Sequence, residues 1–507
     1  MTNEQASTAS KTPTVGMKEL ATSASATELS NLLREKEISP VELLEATIEG
    51  IEEKNHIVNA FVHLGFDEAR ELAKKQEGAL LRGDDLGPLG GVPVAMKDLY
   101  DFKVGWPSTL GGVPALRNNI ATFNSLWVER MEKAGANIVG KTNAAIFGFR
   151  GTGDNPLFGP SKNPFDLSYN SGGSSGGAAA AVAAGLVSIG QATDGGGSTR
   201  VPAAFCGLVG LKPTFGRIPM PIRPNAFGGT SPFLFDGAVT RTIEDSAIAL
   251  EVLEGYDSRD PFVSRGPKVD RSEIRGDVKG LRIAFSRNLD TYPIEDEIDE
   301  AMKRAVAVFE DAGAIVEEVK LGFTADHLEI GELWGHLIVH SQIEGLNALK
   351  AAGIDLLGDH PEQFCDLHRY WIDKALKATT LERHQHQILR TMIYEKVQAV
   401  LDSYDVLITP TTALLGIKNN IGGDTIGPTE IKGVPVEPLI GFALTSYFNY
   451  TGHPALSVPV GLSSGGLPIG MQIVGNRFED GAVLNAGRFV EKSMPWDSIY
   501  KKIQLAS

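Results

Sequence analysis

Residues Gly172 to Arg200 read Gly-Gly-Ser-Ser-Gly-Gly-Ala-Ala-Ala-Ala-Val-Ala-Ala-Gly-Leu-Val-Ser-Ile-Gly-Gln-Ala-Thr-Asp-Gly-Gly-Gly-Ser-Thr-Arg, two glycine-serine clusters either side of an alanine-rich segment. Glycine-serine runs by themselves are most often flexible linkers. The flanks argue against that here, because Ala178 to Ala184 is too apolar for a solvated connector and has the composition of a buried helix. Ser174 and Ser175 then fall at its start, where orphan N–H groups and the helix dipole favour developing negative charge. Further upstream, Lys97 follows the apolar run Val92-Pro93-Val94-Ala95-Met96, which reads as a buried strand ending at a site.

These residue types make a complete nucleophilic relay. A serine hydroxyl attacks a carbonyl only if a base takes its proton, and a lysine is such a base only when neutral. Burial disfavours the charged form and lowers the lysine pKa, so a buried Lys97 meets that condition. A second hydroxyl, both donor and acceptor, can carry the proton between the two. The charge that builds on the attacked oxygen needs preorganised donors, and Gly195-Gly196-Gly197 before Ser198 lets backbone N–H groups converge without side-chain obstruction. Such a reaction needs no metal and no cofactor.

Other chemistries fail on inspection. Gly207-Leu208-Val209-Gly210-Leu211-Lys212-Pro213-Thr214 superficially suggests a phosphate loop, but Leu211 and Pro213 interrupt the required Gly-Lys-Ser/Thr. His384-Gln385-His386 suggests a metal site, yet alternating histidines diverge and no cysteine or clustered carboxylate completes a ligand set. Two cysteines, Cys206 and Cys365, give no disulfide framework and suit a reducing cytoplasm. The net charge of -16 disfavours nucleic acid or an anionic membrane surface as partner, leaving a small neutral substrate. No apolar run reaches transmembrane length, and the first residues lack the pattern of a signal peptide, so a cytoplasmic location is expected.

The motifs closely resemble those of the amidase signature family. That family carries Gly-Gly-Ser-Ser-Gly-Gly, then Asp-x-Gly-Gly-Ser-x-Arg, then Gly-x-x-Gly-Leu-Lys-Pro-Thr, here Gly172 to Gly177, Asp194 to Arg200 and Gly207 to Thr214. Gly90 to Asp98, Phe448 to Ala455 and Gly466 to Gly470 extend the likeness, which spans about Ala26 to Glu491. The resemblance implies Ser198 as the acyl-forming nucleophile, Ser174 as the bridging serine after a cis Gly173-Ser174 peptide, and Lys97 as the base. It implies a scaffolding pair between Asp194 and Arg200. It puts Gly148 and Phe149 at the acyl pocket, where Phe149 would favour an apolar or aromatic acyl group and Arg150 could instead engage a carboxylate.

The expected architecture is α/β. Short apolar runs alternate with Ala- and Glu-rich helices such as Asn124 to Ala134, and Ser39-Pro40-Val41-Glu42 is a capped helix start. The resemblance implies a large mixed central sheet covered by helices on both faces. Residues 1 to about 18, rich in Ser and Thr, read as a mobile tail, and 19–507 as one domain. Within it we expect a motif core over about 85–255 and a polar boundary around 257–277. Strands near 405–410 and 455–460 are expected to return to the main sheet. The intervening segment, about 323–392, carries Trp334, Phe364, Tyr370, Trp371 and most of the histidines, as a substrate-selecting lid would, although such aromatics more often pack helix on helix. Three activities share this relay: a stand-alone amidase, the glutaminase subunit of a tRNA-dependent amidotransferase, and a hydrolase of aryl carbamates or esters. Homodimers are common in the family, and a homodimer is one assembly the resemblance allows.

Overall fold

The structure, a computed structural model, describes residues 16–420 and 423–505. Among the described residues the short apolar runs assemble into one eleven-stranded mixed sheet. In chain order its strands are β1 (Phe61–Leu64), β2 (Pro93–Lys97), β3 (Asn137–Thr142), β4 (Ile189–Asp194), β5 (Val209–Lys212), β6 (Phe235–Thr240), β7 (Arg282–Phe285), β8 (Ile315–Glu318), β9 (Val406–Pro410), β10 (Ala455–Leu462) and β11 (Pro468–Gly475). Across the sheet they lie in the order β1-β3-β2-β4-β6-β5-β10-β11-β9-β7-β8. Strand β2 is parallel to both β3 and β4, and β7 is parallel to both β8 and β9. From β4 across to β9 every pairing is antiparallel.

Side chains on a strand alternate between faces, and here both faces are covered, which is why the strands read as continuous apolar runs. Val94 and Met96 of β2 enter one core, while Ala95 enters another. Likewise Val406 and Ile408 of β9 share the first core, and Leu407 points to the opposite side. Helices Leu126–Lys133, Ile243–Leu253, Asp296–Asp311 and Asp480–Ser493 contribute to the first core. Helices Pro40–Val58, Gly176–Ala183 and His327–Ala351 contribute to the two cores of the other face.

Local signals place several of these elements. The Ser39 side chain accepts the N–H groups of Val41 and Glu42, Glu42 reaches back to the Ser39 N–H, and Pro40 occupies the first turn. The helix expected over Asn124 to Ala134 forms as Leu126–Lys133. Strand β7 opens the chain after the polar stretch at 257–277 and joins the same sheet rather than a separate one. The proposed N-terminal tail lies outside the described residues as far as residue 15. Its expected end near residue 18 is corrected, because helix Met17–Ser23 has already begun and buries Leu20 and Ala21.

The aromatic middle segment is helical, comprising His327–Ala351, Asp366–Lys377 and Thr380–Leu401 as its longer pieces. Phe364 and Trp371 are buried there, and an added Cβ on Gly335 would lie 2.7 Å from the Trp371 ring, so helix-to-helix packing explains these aromatics. Tyr370 is exposed. His386 stacks on His336 at 4.1 Å between ring centroids. No helix among the described residues is long and apolar enough to cross a membrane.

Candidate active site

Adjacent parallel strands β2 and β4 end on Lys97 and Asp194, and open α/β sheets put their ligands at such carboxyl ends. The fully buried, Ala-rich helix Gly176–Ala183 packs on both strands and carries Ser174 and Ser175 just before its first turn. Strand β4 runs on through Gly195 to Ser198 before helix Arg200–Phe205. Three separate pieces of chain therefore meet at one place.

Lys97 is completely buried, and its Nζ donates to Ser174 Oγ at 2.8 Å, Ser175 Oγ at 2.8 Å and Thr193 Oγ1 at 2.9 Å. Hydroxyls, not carboxylates, surround the amine. Burial pulls its pKa down from the ordinary lysine value to about 7, while the charges of Asp101, Asp194 and Asp236 act in the opposite sense. The amine can therefore be neutral near neutral pH. The Gly173-Ser174 peptide is cis, as the resemblance implies.

Ser198 and Ser174 line a single cavity of about 650 Å³ together with Thr193, Gly195 and Gly148. The Ser175 N–H donates to the Ser198 carbonyl at 3.3 Å, which ties the two serine loops together. Among the described residues no hydrogen bond engages the Ser198 hydroxyl. Gly148 stands beside Ser174, since a Cβ there would lie 3.4 Å from Ser174 Oγ.

The glycine triplet is oriented through its carbonyls. Asn449 Nδ2 donates to Asp194 O at 3.1 Å, Trp334 Nε1 to Gly195 O at 2.9 Å, and Thr445 Oγ1 to Gly196 O at 2.5 Å. In a trans peptide the N–H points opposite to the C=O. The N–H groups of Gly195, Gly196 and Gly197 are thereby turned away from these three anchors. Gly197 has φ +139°, and a Cβ there would fall 2.1 Å from Thr445 Oγ1, so only glycine fits.

Arg200 is fully buried and grips Asp194 bidentately, Nε to Oδ2 at 3.0 Å and Nη2 to Oδ1 at 2.9 Å. Its remaining donors reach Thr445 O, Gln472 Oε1 and Asn449 Oδ1. Burial alone would raise the Asp194 pKa, but the Arg200 charge and hydrogen bonds bring it down to about 2. Arg200→Met is expected to destabilise the protein by roughly 3–5 kcal/mol, because Asp194 is left charged and unpaired in the core. Denaturant melts of the two proteins check this, and an unchanged midpoint would contradict it.

Two further carboxyl groups line the cavity, Asp101 and Asp236, and burial raises the pKa of both. Gln191 connects this wall to the lysine strand: its Oε1 accepts the Lys97 N–H at 2.9 Å and its Nε2 donates to Asp236 Oδ1 at 3.3 Å. Sequence reasoning missed Ser175, Thr193 and Gln191 as Lys97 partners. The one available signal was a polar Gln inside the otherwise apolar run Ile189-Gly190-Gln191-Ala192.

The rest of the cavity wall is mainly apolar, with Leu99, Leu110, Phe147, Trp334, Ile338 and Leu349 among its residues. Two expectations are corrected here. Phe149 does not line the cavity; it is buried behind the wall, stacked on His368 at 3.8 Å. Phe147 takes that place, because its φ of +50° turns the chain before Gly148. Arg150 is not free to meet a substrate carboxylate, since it pairs with Asp424 and donates to Asp154 O at 2.9 Å.

The family model for the amidases matches residues 42–484. The chain belongs to the amidase signature family and is a hydrolase of carboxamide C–N bonds. It is 35% identical to an acylamidase of Rhodococcus erythropolis over 93% of this chain and 96% of that one. A bacterial aryl acylamidase of the same family superposes with a TM-score of 0.93 and 40% identity, over 95% of this chain and 98% of that one. A glutamyl-tRNA(Gln) amidotransferase subunit of Moorella thermoacetica is 33% identical over 92% of this chain and 96% of that one.

Proposed function

We propose that Ser198 attacks the substrate carbonyl while its proton passes through the Ser174 hydroxyl to neutral Lys97. The tetrahedral oxyanion is held by N–H groups of the Gly195–Gly197 turn. Collapse breaks the C–N bond as the proton returns from Lys97 to the leaving nitrogen, releasing ammonia or an amine and an ester on Ser198. Water then attacks that ester by the reverse proton route and frees the carboxylic acid. Gly148 borders the reacting carbonyl. The two free cysteines fit a reducing cytoplasm as the working compartment.

The observation that carries this reading is a buried lysine whose amine donates to three hydroxyls, one of them Ser174, which lines the same cavity as Ser198. The apolar wall supports amides with an aryl or alkyl group as the substrate class, the acylamidase reading. The amidotransferase reading rests on the Moorella relative, and free glutamine, whose α-carbon bears both an ammonium and a carboxylate, matches the mainly apolar wall poorly. An assay of the purified protein with glutamine, aliphatic amides, aryl amides and aryl carbamates separates the readings. Aryl amides are expected to be turned over by the protein alone. Turnover of glutamine only would replace this reading by the glutaminase one.

Phe147 gives a second test. Phe147→Ala enlarges the cavity and removes apolar contact, so KM for an aryl amide is expected to rise about tenfold or more with little change for acetamide. Equal effects on both substrates would show that Phe147 does not contact the aryl group.

A further inference from the structure

Resting on the assignment of Ser198 as nucleophile, we propose that Trp334 is a positioning residue for the oxyanion hole, its indole N–H fixing the Gly195–Gly196 peptide so that Gly196 N–H faces the developing charge. A run of three glycines has more backbone freedom than any other tripeptide. Donors stabilise a transition state only insofar as they are already in place. Something must therefore hold the turn still. Two of its carbonyl anchors, Asn449 and Thr445, come from the segment just before β10. The third, Trp334, comes from helix His327–Ala351, whose Ile338 and Gln342 also line the cavity.

The fit between indole and turn is close. Trp334 is 1% exposed, and its Nε1 donates to Gly195 O at 2.9 Å. A Cβ on Gly196 would lie 2.3 Å from that same Nε1, so the turn rests directly against the edge of the ring. The ring also meets Phe149 at 5.8 Å between centroids, and Phe149 is itself stacked on His368. The Phe149 stack that fails to reach substrate thus supports the indole. Substrate bulk and oxyanion geometry are consequently sensed by one helix.

The test removes the N–H while keeping the ring. Trp334→Phe is one variant, and β-(3-benzothienyl)alanine at position 334, which replaces the indole N–H by sulfur, is the second and near-isosteric one. Hydrolysis of 4-nitroacetanilide and 4-nitrophenyl acetate gives kcat and KM, and inhibition by phenylboronic acid reports affinity for a tetrahedral adduct. We expect kcat to fall about tenfold or more, boronate affinity to fall in parallel, KM of the sulfur variant to stay near wild type, and its melting temperature to fall only modestly, because the Gly195 carbonyl alone loses its donor. Unchanged kcat and boronate affinity in the sulfur variant, or a loss confined to KM and melting temperature, would overturn the proposal. Mass spectrometry of the wild-type protein after phenylmethanesulfonyl fluoride treatment keeps the two assignments apart. An unlabelled Ser198 removes the nucleophile itself, whereas a labelled Ser198 with an indifferent Trp334 removes only this inference.

Discussion

Ser198→Ala is expected to lower kcat by about four to six orders of magnitude while leaving the melting temperature unchanged. The size follows from the proposed role: without the hydroxyl no acyl-enzyme would form, and only the proposed oxyanion donors and substrate binding would remain. The unchanged stability follows from the surroundings. No hydrogen bond engages the Ser198 hydroxyl among the described residues, so its removal leaves no buried partner unsatisfied. Ser174 and Ser175 differ in this respect, since each accepts from Lys97, and replacing either would disturb the amine as well as the chemistry. Activity in Ser198→Ala within a hundredfold of wild type would move the nucleophile elsewhere.

Lys97 carries the second large effect. Burial lowers its pKa to about 7, and with the neutral amine as the proposed base, kcat/KM is expected to rise tenfold per pH unit below about 7 and to level off above it. The sign is opposite to that of an acid-catalysed route, which would lose activity over the same range. Lys97→Ala is expected to cost about three orders of magnitude or more, and Lys97→Arg no less, because a guanidinium does not give up its proton. A flat or acid-favouring profile, recorded where chemistry limits the rate, would rule out a lysine base.

The parts of the site that could be read from the chain are those built from local pattern. Gly172 to Arg200 announces two serine loops around a buried helix, and Val92 to Met96 announces the strand that delivers Lys97, because apolar runs of that length are what a sheet covered on both faces requires. The Ser39 capping box is equally local. What escaped is set by contacts between distant segments. Trp334, Thr445 and Asn449 reach the glycine turn across 139, 249 and 255 residues; the sequence places Trp334 in a candidate substrate-selecting segment and Asn449 in a family block, but nothing local shows that either holds the turn. The exchange of Phe149 for Phe147 has another cause. A left-handed φ at a phenylalanine is unfavourable in isolation and is imposed by the surrounding structure, so the sequence offers no sign of which ring will face inward.

Helix Gly176–Ala183 contains only glycine, alanine and one valine, and all eight of its residues are buried. A Cβ on Gly177 would come within 2.4 Å of the Asn143 backbone nitrogen and 2.5 Å of the Ala60 carbonyl oxygen. None of its residues lines the cavity, yet enlarging almost any of its side chains would push the serine loop off the lysine. In a saturation mutagenesis screen for turnover it should emerge as a band of intolerant positions without a single reactive group among them. Selection can remodel wall residues that hold neither serine loop nor glycine turn, such as Leu110 and Leu349, while the small residues behind the serines mark a part of the chain that it cannot revise.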